Sequence, residues 1–432
     1  MPEKPPDFLI VQLARIGDLI QTKRLLLSLE REGRVHLALD AGLAELAGLV
    51  FPRAVLHPIR AHAGGRNPAE VLAVNAGAFA GLAEMNFKAI YNLNRNPLAL
   101  ALAGMFPPES VVGYRLEQGQ ALSSTWCKMA GRWSGAGRRL SSPLNLTDFW
   151  AWFHPDPLAP TLVNPAARAK NVVETTPGKG GQRLGVVLAG REPRRSLPPE
   201  YLARVVEALF AARKGPEILL LGSRDEQAGA RKLSKYLDGR VLQKVRDLSG
   251  KTSLPDFYEV VGSLDLMLTP DTGGMHLAAH LGVPVVAFFL SSALAWETGP
   301  YGLGHTVWQS VRRGCSPCLE TEPCPYKTAC LPPFAAPGWL TVLSGRAGAA
   351  LPGGDPALLG LESCFDDIGV DYRVFLGEAS ALPQARRCQK RRLLREFLRR
   401  PGQPGKSGGP AGIDEAVINE VISEADWMLR EY

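Results

Sequence analysis

The chain repeats one local pattern along most of its length: a short apolar run, a turn containing glycine or aspartate, and a segment whose leucines recur at helical spacing. The first copy reads FLIVQL (8–13), ARIGD (14–18) and LIQTKRLLLSL (19–29). Apolar runs of this length are typical of parallel strands buried on both faces, because strands exposed on one face alternate polar and apolar residues. Strand and helix in turn predict an α/β protein with doubly wound sheets.

The same pattern divides the chain into two halves. A chain of 432 residues exceeds what one core usually organises, so two domains are expected. We predict an N-terminal domain over 1–165, a Pro, Gly and Lys-rich linker over 164–182, a second domain over 183–335 and an accessory tail over 336–432. The strand candidates lie at 8–13, 34–40, 88–94 and 110–114 in the first half, and at 183–190, 217–223, 264–271 and 284–289 in the second.

Composition excludes several classes of protein. The first seven residues lack the cationic flank of a signal peptide, and no apolar stretch reaches the roughly 18 residues of a spanning helix. A cytoplasmic location is expected, where reducing conditions disfavour a disulfide framework for the seven cysteines. The net charge of +7 is compatible with acidic partners such as a phosphorylated glycolipid or a nucleotide, but it selects none of them. We expect no nucleic-acid partner.

The first turn places a carboxylate, Asp18, at the opening of a helix beyond the first strand. Ligands of open α/β sheets bind at the carboxyl ends of strands, which favours a functional role. The alternative is a helix cap, since aspartate there stabilises a first turn by about 1 kcal/mol.

A second turn, TPDTGGMH (269–276), follows the apolar run LDLML and precedes a helix. Free backbone N–H groups at Thr272 to Gly274, with the positive end of the helix dipole behind them, suit a diphosphate. Neither turn is a GxGxxG fingerprint, which disfavours an NAD-dependent dehydrogenase.

Together these motifs resemble a known family. The motif set is LARIGD at the first turn, the RSLP stretch at 195–198, DLSGKTSL at 247–254, LTPDTGGMHLAAHLGVPVVAFF at 268–289 and GCSPCLETEPCPYKTACL at 314–331. In this order they resemble glycosyltransferase family 9, the ADP-heptose:lipopolysaccharide heptosyltransferases. The resemblance implies a GT-B fold, with two Rossmann-like domains facing each other across a cleft.

The resemblance also assigns residues to roles. Asp18 matches the family's general base, and Arg15, Asn94 and Arg95 are predicted to bind the acceptor. The predicted donor-binding residues are Arg194, Arg195, Glu226, Asp271, Thr272, Gly273, Gly274 and His276. Arg195 stands in place of a phosphate-contacting lysine, and Glu226 resembles the acidic residue that holds the ribose.

Two features depart from a simple family reading. Gln21 to Arg24 replace small or apolar residues and a proline in the first helix, and Gly274 replaces a proline or bulkier residue. No Asp-x-Asp metal motif ends a strand, so we predict that transfer requires no cofactor. The cluster Cys315, Cys318, Cys324 and Cys330 has the spacing C-x2-C-x5-C-x5-C, which fits either a structural zinc site or reduced thiols in a structured loop.

We therefore predict an inverting transfer of heptose from ADP-heptose to a lipopolysaccharide core hydroxyl. The alternatives are a related GT-B enzyme with another nucleotide sugar or another surface glycan, and a catalytically silent binding protein. The basic segment 385–400 fits contact with the inner face of the cytoplasmic membrane or a solvated helix face.

Overall fold

The computed structural model describes most of the chain. The described residues are 4–62, 67–117, 120–123, 126–127, 139–164, 182–188, 193–311, 315–318, 320, 322–345, 357–377 and 384–398. The predicted linker lies almost wholly outside them, as does the chain beyond 398. No helix within the described part is long and apolar enough to cross a bilayer.

The chain forms two compact units that differ from the predicted domains. Unit 1 comprises 1–135, 146–163 and the chain from 388 onward. Unit 2 comprises 136–145 and 164–387. The predicted boundary at 165 is close, but a short segment before it groups with unit 2.

Unit 1 is a Rossmann-like sheet with its crossover helices. Its elements are β1 (Asp7–Gln12), α1 (Ile16–Gln21), α2 (Lys23–Leu29), β2 (Arg34–Asp40), α3 (Ala44–Val50), β3 (Val55–Ile59), α4 (Pro68–Ala83), β4 (Ala89–Asn92), α5 (Pro97–Ala103), β5 (Val111–Glu117), β6 (Gln120–Ser123) and α6 (Leu146–Ala151). The strand order is β3-β2-β1-β4-β5-β6. The first five strands are parallel, and β6 pairs with β5 antiparallel.

Local sequence explains where the helices of unit 1 begin. Asn67 and Asn96 precede α4 and α5, and each side-chain oxygen accepts from a backbone N–H three residues on, at 2.9 Å. A proline follows each asparagine, at a position where its missing N–H costs nothing. The helices pack on the sheet through a core that includes Leu9 and Val11 of β1 and Phe79 of α4.

Unit 2 has an eight-stranded sheet. Its elements are β7 (Arg183–Val187), α7 (Pro199–Ala212), β8 (Glu217–Leu221), α8 (Gln227–Ser234), α9 (Gly239–Leu242), β9 (Val245–Asp247), α10 (Leu254–Gly262), β10 (Leu266–Pro270), α11 (Gly273–His280), β11 (Val285–Phe289), α12 (Ala295–Thr298), β12 (Thr306–Val311), α13 (Pro337–Leu343), β13 (Ala357–Phe365) and β14 (Val370–Leu376). The order is β14-β13-β12-β11-β10-β7-β8-β9. Strands β7 to β12 are parallel, and β13 and β14 extend the sheet antiparallel.

The prediction of an accessory tail from residue 336 is therefore wrong for much of that segment. Strand β13 pairs along β12, and Trp339 of α13 is fully buried against Trp308 and Phe334. Burying each large apolar side chain stabilises the fold by about 1.5–3 kcal/mol, so these residues are part of the core.

The last described helix, α14 (Gln384–Leu398), corrects a second expectation. Arg387, Lys390 and Arg391 are buried, whereas a solvated or membrane-facing basic helix would expose them. The Arg387 guanidinium donates to Asp371 Oδ1 at 2.5 Å and to the Ser142 carbonyl at 3.1 Å. These contacts give Arg387 a protein partner in place of lipid head groups.

Candidate functional site

Each sheet reverses its strand order at one point, and the predicted site residues other than Glu226 follow the strands that flank it. In unit 1 the chain builds outward from β1 to β3, then returns to place β4 on the other side of β1. In unit 2 it builds from β7 to β9, then places β10 beside β7. Ligands of open α/β sheets bind at the carboxyl ends of the two strands that flank such a point.

In unit 1, the carboxyl ends of β1 and β4 bring the predicted catalytic and acceptor residues together. Asn94 Oδ1 accepts from Leu13 N–H at 2.5 Å, and its amide nitrogen donates to Gln12 Oε1 at 2.7 Å. Gln12 Nε2 contacts the Asp18 carbonyl at 3.5 Å. A chain of side-chain amides therefore connects the end of β4 to the start of α1.

Asp18 is the third residue of α1, rather than the residue before the helix. Its Oδ2 accepts from the Arg15 N–H at 3.3 Å, and the residue is half-buried. The carboxylate thus caps the helix, as the alternative interpretation requires, while part of it stays accessible. The contact accounts for a structural role and does not test a catalytic one.

The other predicted acceptor residues are accessible. Arg15 and Arg95 are exposed, and the Arg95 guanidinium lies over the Tyr114 ring at 5.6 Å from its centroid. Burial raises the pKa of Tyr114, so its hydroxyl stays protonated. Gln12 and Asn92, both fully buried, were not predicted. The sequence does contain a signal for them, because each is a polar residue near the end of an apolar strand.

In unit 2, the turn after β10 begins a helix with unoccupied donors. Thr272 precedes α11, and its Oγ1 accepts from Met275 N–H at 3.4 Å. Within the described residues, no hydrogen bond reaches the N–H groups of Gly273 and Gly274. A Cβ on Gly274 would lie 3.2 Å from the Phe257 ring, so the glycine allows α10 to pack closely beneath the turn.

Asp271 is the centre of the polar contacts at this turn. Its Oδ2 accepts from Arg195 Nη2 and from Thr298 Oγ1, both at 3.0 Å. His276 Nε2 lies 3.9 Å from Asp271 Oδ1. Burial lowers the pKa of His276 to about 4, so the imidazole is neutral at pH 7. It can accept or donate one hydrogen bond there, but it does not supply a positive charge.

The two neighbouring arginines differ in what they contact. Arg194 donates to Cys318 Sγ at 3.3 Å and to the carbonyls of Glu320 and Glu322. The predicted donor-binding role of Arg194 is therefore not favoured, because its guanidinium donates to the cysteine-containing loop. Arg195 Nε lies 3.6 Å from Glu320 Oε1, so Arg195 is placed between two carboxylates.

Glu226, the predicted ribose ligand, follows β8. Its carboxylate accepts from the Ser223 N–H, which closes the turn after Gly222. A Cβ on Gly222 would lie 2.7 Å from Glu226 Oε2, so a larger residue there would require this carboxylate to move. Like Asp271, Glu226 lies at the carboxyl ends of the strands. It follows β8, which is two strands from β10 in the sheet.

The four clustered cysteines line one small cavity of about 30 Å³, together with Arg194 and several hydroxyl groups. All four are free thiols. Burial and the neighbouring cysteines raise the pKa of Cys330 to about 11. Among the described side chains, no three Cys, His, Asp or Glu groups are arranged to hold a metal ion. The thiols are neighbours, but their present geometry does not fit zinc.

Sequence reasoning missed Arg139, Glu297 and Thr298. Thr298 and Glu297 lie in α12, which follows β11 at the same edge of the sheet as Asp271. Arg139 donates to Glu297 Oε2 at 2.6 Å, and the two residues are 158 positions apart in the sequence. No local pattern could have indicated that pair.

Comparison with known proteins finds similarity to one family over part of the chain. Residues 166–329 match the sequence profile of glycosyltransferase family 9 (heptosyltransferase). Lipooligosaccharide heptosyltransferase 2 of Campylobacter jejuni is 31% identical over 84 residues, 19% of this chain and 26% of that protein. The enzyme of the same name from Haemophilus influenzae is 25% identical over 97 residues, 22% of this chain and 28% of that protein. The matches thus span about a quarter of these curated relatives.

The fold is also found in a solved structure. The crystal structure of a family 9 glycosyl transferase from Veillonella parvula superposes with a TM-score of 0.53 at 15% identity, covering 72% of this chain and 87% of that one. At this identity the likeness shows the fold alone, and it confirms the predicted class of two Rossmann-like units. Over residues 166–329, the chain is similar to glycosyltransferase family 9 (heptosyltransferase).

Proposed function

We propose that the protein is an inverting glycosyltransferase that moves heptose from ADP-heptose to a hydroxyl group of a lipopolysaccharide core. The observation that carries the proposal is the turn after β10. There the N–H groups of Gly273 and Gly274 and the Arg195 guanidinium occur beside one another at the switch point of the unit 2 sheet. The donor sugar comes from the family match.

The donor would bind through its diphosphate. Backbone N–H groups at the start of α11, with the helix dipole behind them, favour an anion. Arg195 uses one N–H for Asp271, and its planar fork has further donors for phosphate oxygens. Because these groups can stabilise the charge that develops on the leaving ADP, we propose that transfer needs no metal ion. Activity should then survive a chelator.

The acceptor hydroxyl would lose its proton to Asp18. A carboxylate that is half-buried and held by the Arg15 N–H is oriented without being fully enclosed. General-base catalysis of this kind contributes about 10²–10⁴-fold. Attack from the face opposite the leaving group inverts the anomeric configuration, by the same geometric argument that applies to inverting glycosidases.

A donor and acceptor panel tests the proposal. The purified protein is incubated with ADP-, UDP- and GDP-linked sugars and truncated core glycolipids, and products are identified by mass and anomeric configuration. We expect transfer from ADP-heptose only, with inversion. Transfer from another nucleotide sugar would show that ADP-heptose is not the donor. Retention of the anomeric configuration would contradict the proposed general-base role of Asp18. Binding of ADP without turnover on any acceptor would favour a silent binding protein.

Localisation at the inner face of the cytoplasmic membrane is part of the same proposal, since the acceptor is a glycolipid. Cell fractionation with and without high salt tests it. Release of the protein from the membrane fraction by salt would support electrostatic, peripheral attachment.

A further inference from the structure

A short segment of the chain contacts α12 and the residues just before it. Residues 136–145 lie between two segments of unit 1 but group with unit 2. Within this segment, the Arg139 guanidinium donates to Glu297 Oε2 from Nη2 at 2.6 Å and from Nε at 3.1 Å. It also donates to the Ser292 carbonyl at 2.7 Å. Its own carbonyl accepts from the Trp296 indole at 2.8 Å.

The partner of Arg139 is adjacent to the donor site. Glu297 precedes Thr298, whose hydroxyl donates to Asp271. The pKa of Glu297 is raised, mainly by burial and also by the nearby charge of Asp271, while the hydrogen bonds and charge of Arg139 oppose that rise. Asp271 and Glu297 are therefore close enough for their charges to interact, in a setting where water screens them poorly.

The charged groups around the turn after β10 carry a net negative charge, which opposes the binding of another anion. Asp271, Glu297 and Glu320 supply three carboxylates, and Arg195 and Arg139 supply two guanidinium groups. Arg195 contacts Asp271 and Glu320, so Arg139 is the cation that pairs with Glu297. Without Arg139, a diphosphate would approach a cluster with one more net negative charge.

We propose that Arg139 is a positioning residue for donor binding: by pairing with Glu297 it neutralises this carboxylate and holds α12 so that Thr298 reaches Asp271. The inference rests on the proposed function, because it takes a nucleoside diphosphate as the ligand. It assigns no contact between Arg139 and the donor. Arg139 acts through Glu297 and Thr298.

A purely structural ion pair makes a different prediction. It would affect unfolding but not the affinity of folded protein for ADP. The proposal instead predicts that removing the cation alone weakens ADP binding, and that removing both charges restores it. Calorimetric titration of ADP into the full-length protein, together with the melting temperature, distinguishes the two.

The experiment compares Arg139→Gln, Glu297→Gln and the double variant with the wild type. We expect Arg139→Gln to raise the Kd for ADP by about 10–100-fold, as an unpaired carboxylate in a poorly solvated site repels the ligand. Glu297→Gln and the double variant should bind ADP within about threefold of the wild type, because neither leaves an unpaired carboxylate to repel the diphosphate. The control is Arg183→Gln, which breaks the half-exposed pair with Glu217 at the opposite edge of the sheet and should leave the Kd unchanged.

Each outcome decides the matter. Equal Kd values for Arg139→Gln and the wild type, or a double variant as weak as the single one, would overturn the proposal. If Arg139→Gln does not fold, Glu297→Gln remains decisive, since a large loss of ADP affinity in that variant would also overturn it. Failure of the wild type to bind ADP would count against the proposed function and would be visible before any variant is made.

Discussion

Arg195 Nη2 donates to Asp271 Oδ2 at 3.0 Å, and this ion pair joins the loop after β7 to the turn after β10. The two strands are neighbours only because the sheet reverses its order between them. Asp271 also accepts from Thr298 after β11. Three strand ends are thus tied to one largely buried carboxylate, which fixes the Arg195 guanidinium beside the N-terminus of α11.

Arg195→Gln should weaken ADP binding by at least tenfold while changing stability little. The substitution removes a phosphate donor, and glutamine can still donate a hydrogen bond to Asp271. Charge-assisted hydrogen bonds to phosphate are about twice as strong as neutral ones, so the loss should fall mainly on the ligand. Isothermal titration and thermal unfolding measure the two effects.

Arg194→Gln provides the contrast for that experiment. Arg194 contacts Cys318 Sγ and two loop carbonyls, so its loss should act mainly on stability. The melting temperature should fall, and the effect on the Kd for ADP should be the smaller of the two. Equal ADP affinities for Arg195→Gln and the wild type would show that Arg195 does not contact the diphosphate.

Acid should destabilise the fold before it titrates the carboxylates. Burial lowers the pKa of His276 and of His305 to about 4, whereas an unfolded histidine titrates near 6.5. Between these values the unfolded chain binds protons that the folded chain does not, so the free energy of unfolding falls as the pH drops from about 6.5 to 4. Each histidine contributes up to about 3 kcal/mol across this window.

His305→Leu should reduce that acid dependence. Within the described residues, neither ring nitrogen of His305 has a hydrogen-bond partner, so an apolar side chain of similar size should be tolerated. Urea denaturation of the variant and the wild type at several pH values measures how the free energy of unfolding depends on pH, and the same dependence for both proteins would contradict the assignment to His305.

Much of the fold followed from the sequence because the strands are buried. The runs at 8–13, 183–190 and 264–271 each contain a parallel strand, and the turns after them hold the site residues. Burial on both faces gives a continuous apolar signal, and a ligand turn needs small or acidic residues directly after it. Both signals are local, so they can be seen without the structure.

The predictions from sequence failed for contacts between residues that are far apart in the chain. The pairing of β13 with β12 was missed because Gly and Pro-rich stretches flank that segment and weaken its pattern. The cations of α14 were assigned to solvent or lipid because the sequence cannot show that Asp371 faces Arg387. The pairing of Arg139 with Glu297 was invisible for the same reason.

Arg24→Met should destabilise unit 1 by about 3–5 kcal/mol. Arg24 Nη1 donates to Asp148 Oδ1 at 2.6 Å, and both side chains are almost fully buried. Removing the cation leaves a buried charge without its partner, which costs more than the ion pair itself contributes. The variant Arg24→Met/Asp148→Leu should recover most of the loss. Chemical denaturation measures the cycle, and an additive double variant would contradict the argument.

Asp18→Asn should abolish transfer while leaving stability and ADP binding nearly unchanged. Asparagine is close to isosteric and keeps a side-chain oxygen that can accept from the Arg15 N–H, now held at 3.3 Å. Its cap is therefore retained, and a cap role alone predicts little loss of either stability or rate. A general-base role predicts a fall in kcat of about 10²–10⁴-fold, because an amide cannot take the hydroxyl proton.

The measurement is kcat at saturating ADP-heptose, with the melting temperature of both proteins. Asp156→Asn is a matched control, since it makes the same change at an exposed carboxylate that pairs with Arg31 and should leave kcat unchanged. If Asp18→Asn kept normal stability and at least a tenth of wild-type turnover, Asp18 would be a cap and the base would have to be sought elsewhere. His276 would then be tested next, as a neutral imidazole at pH 7 can accept a proton.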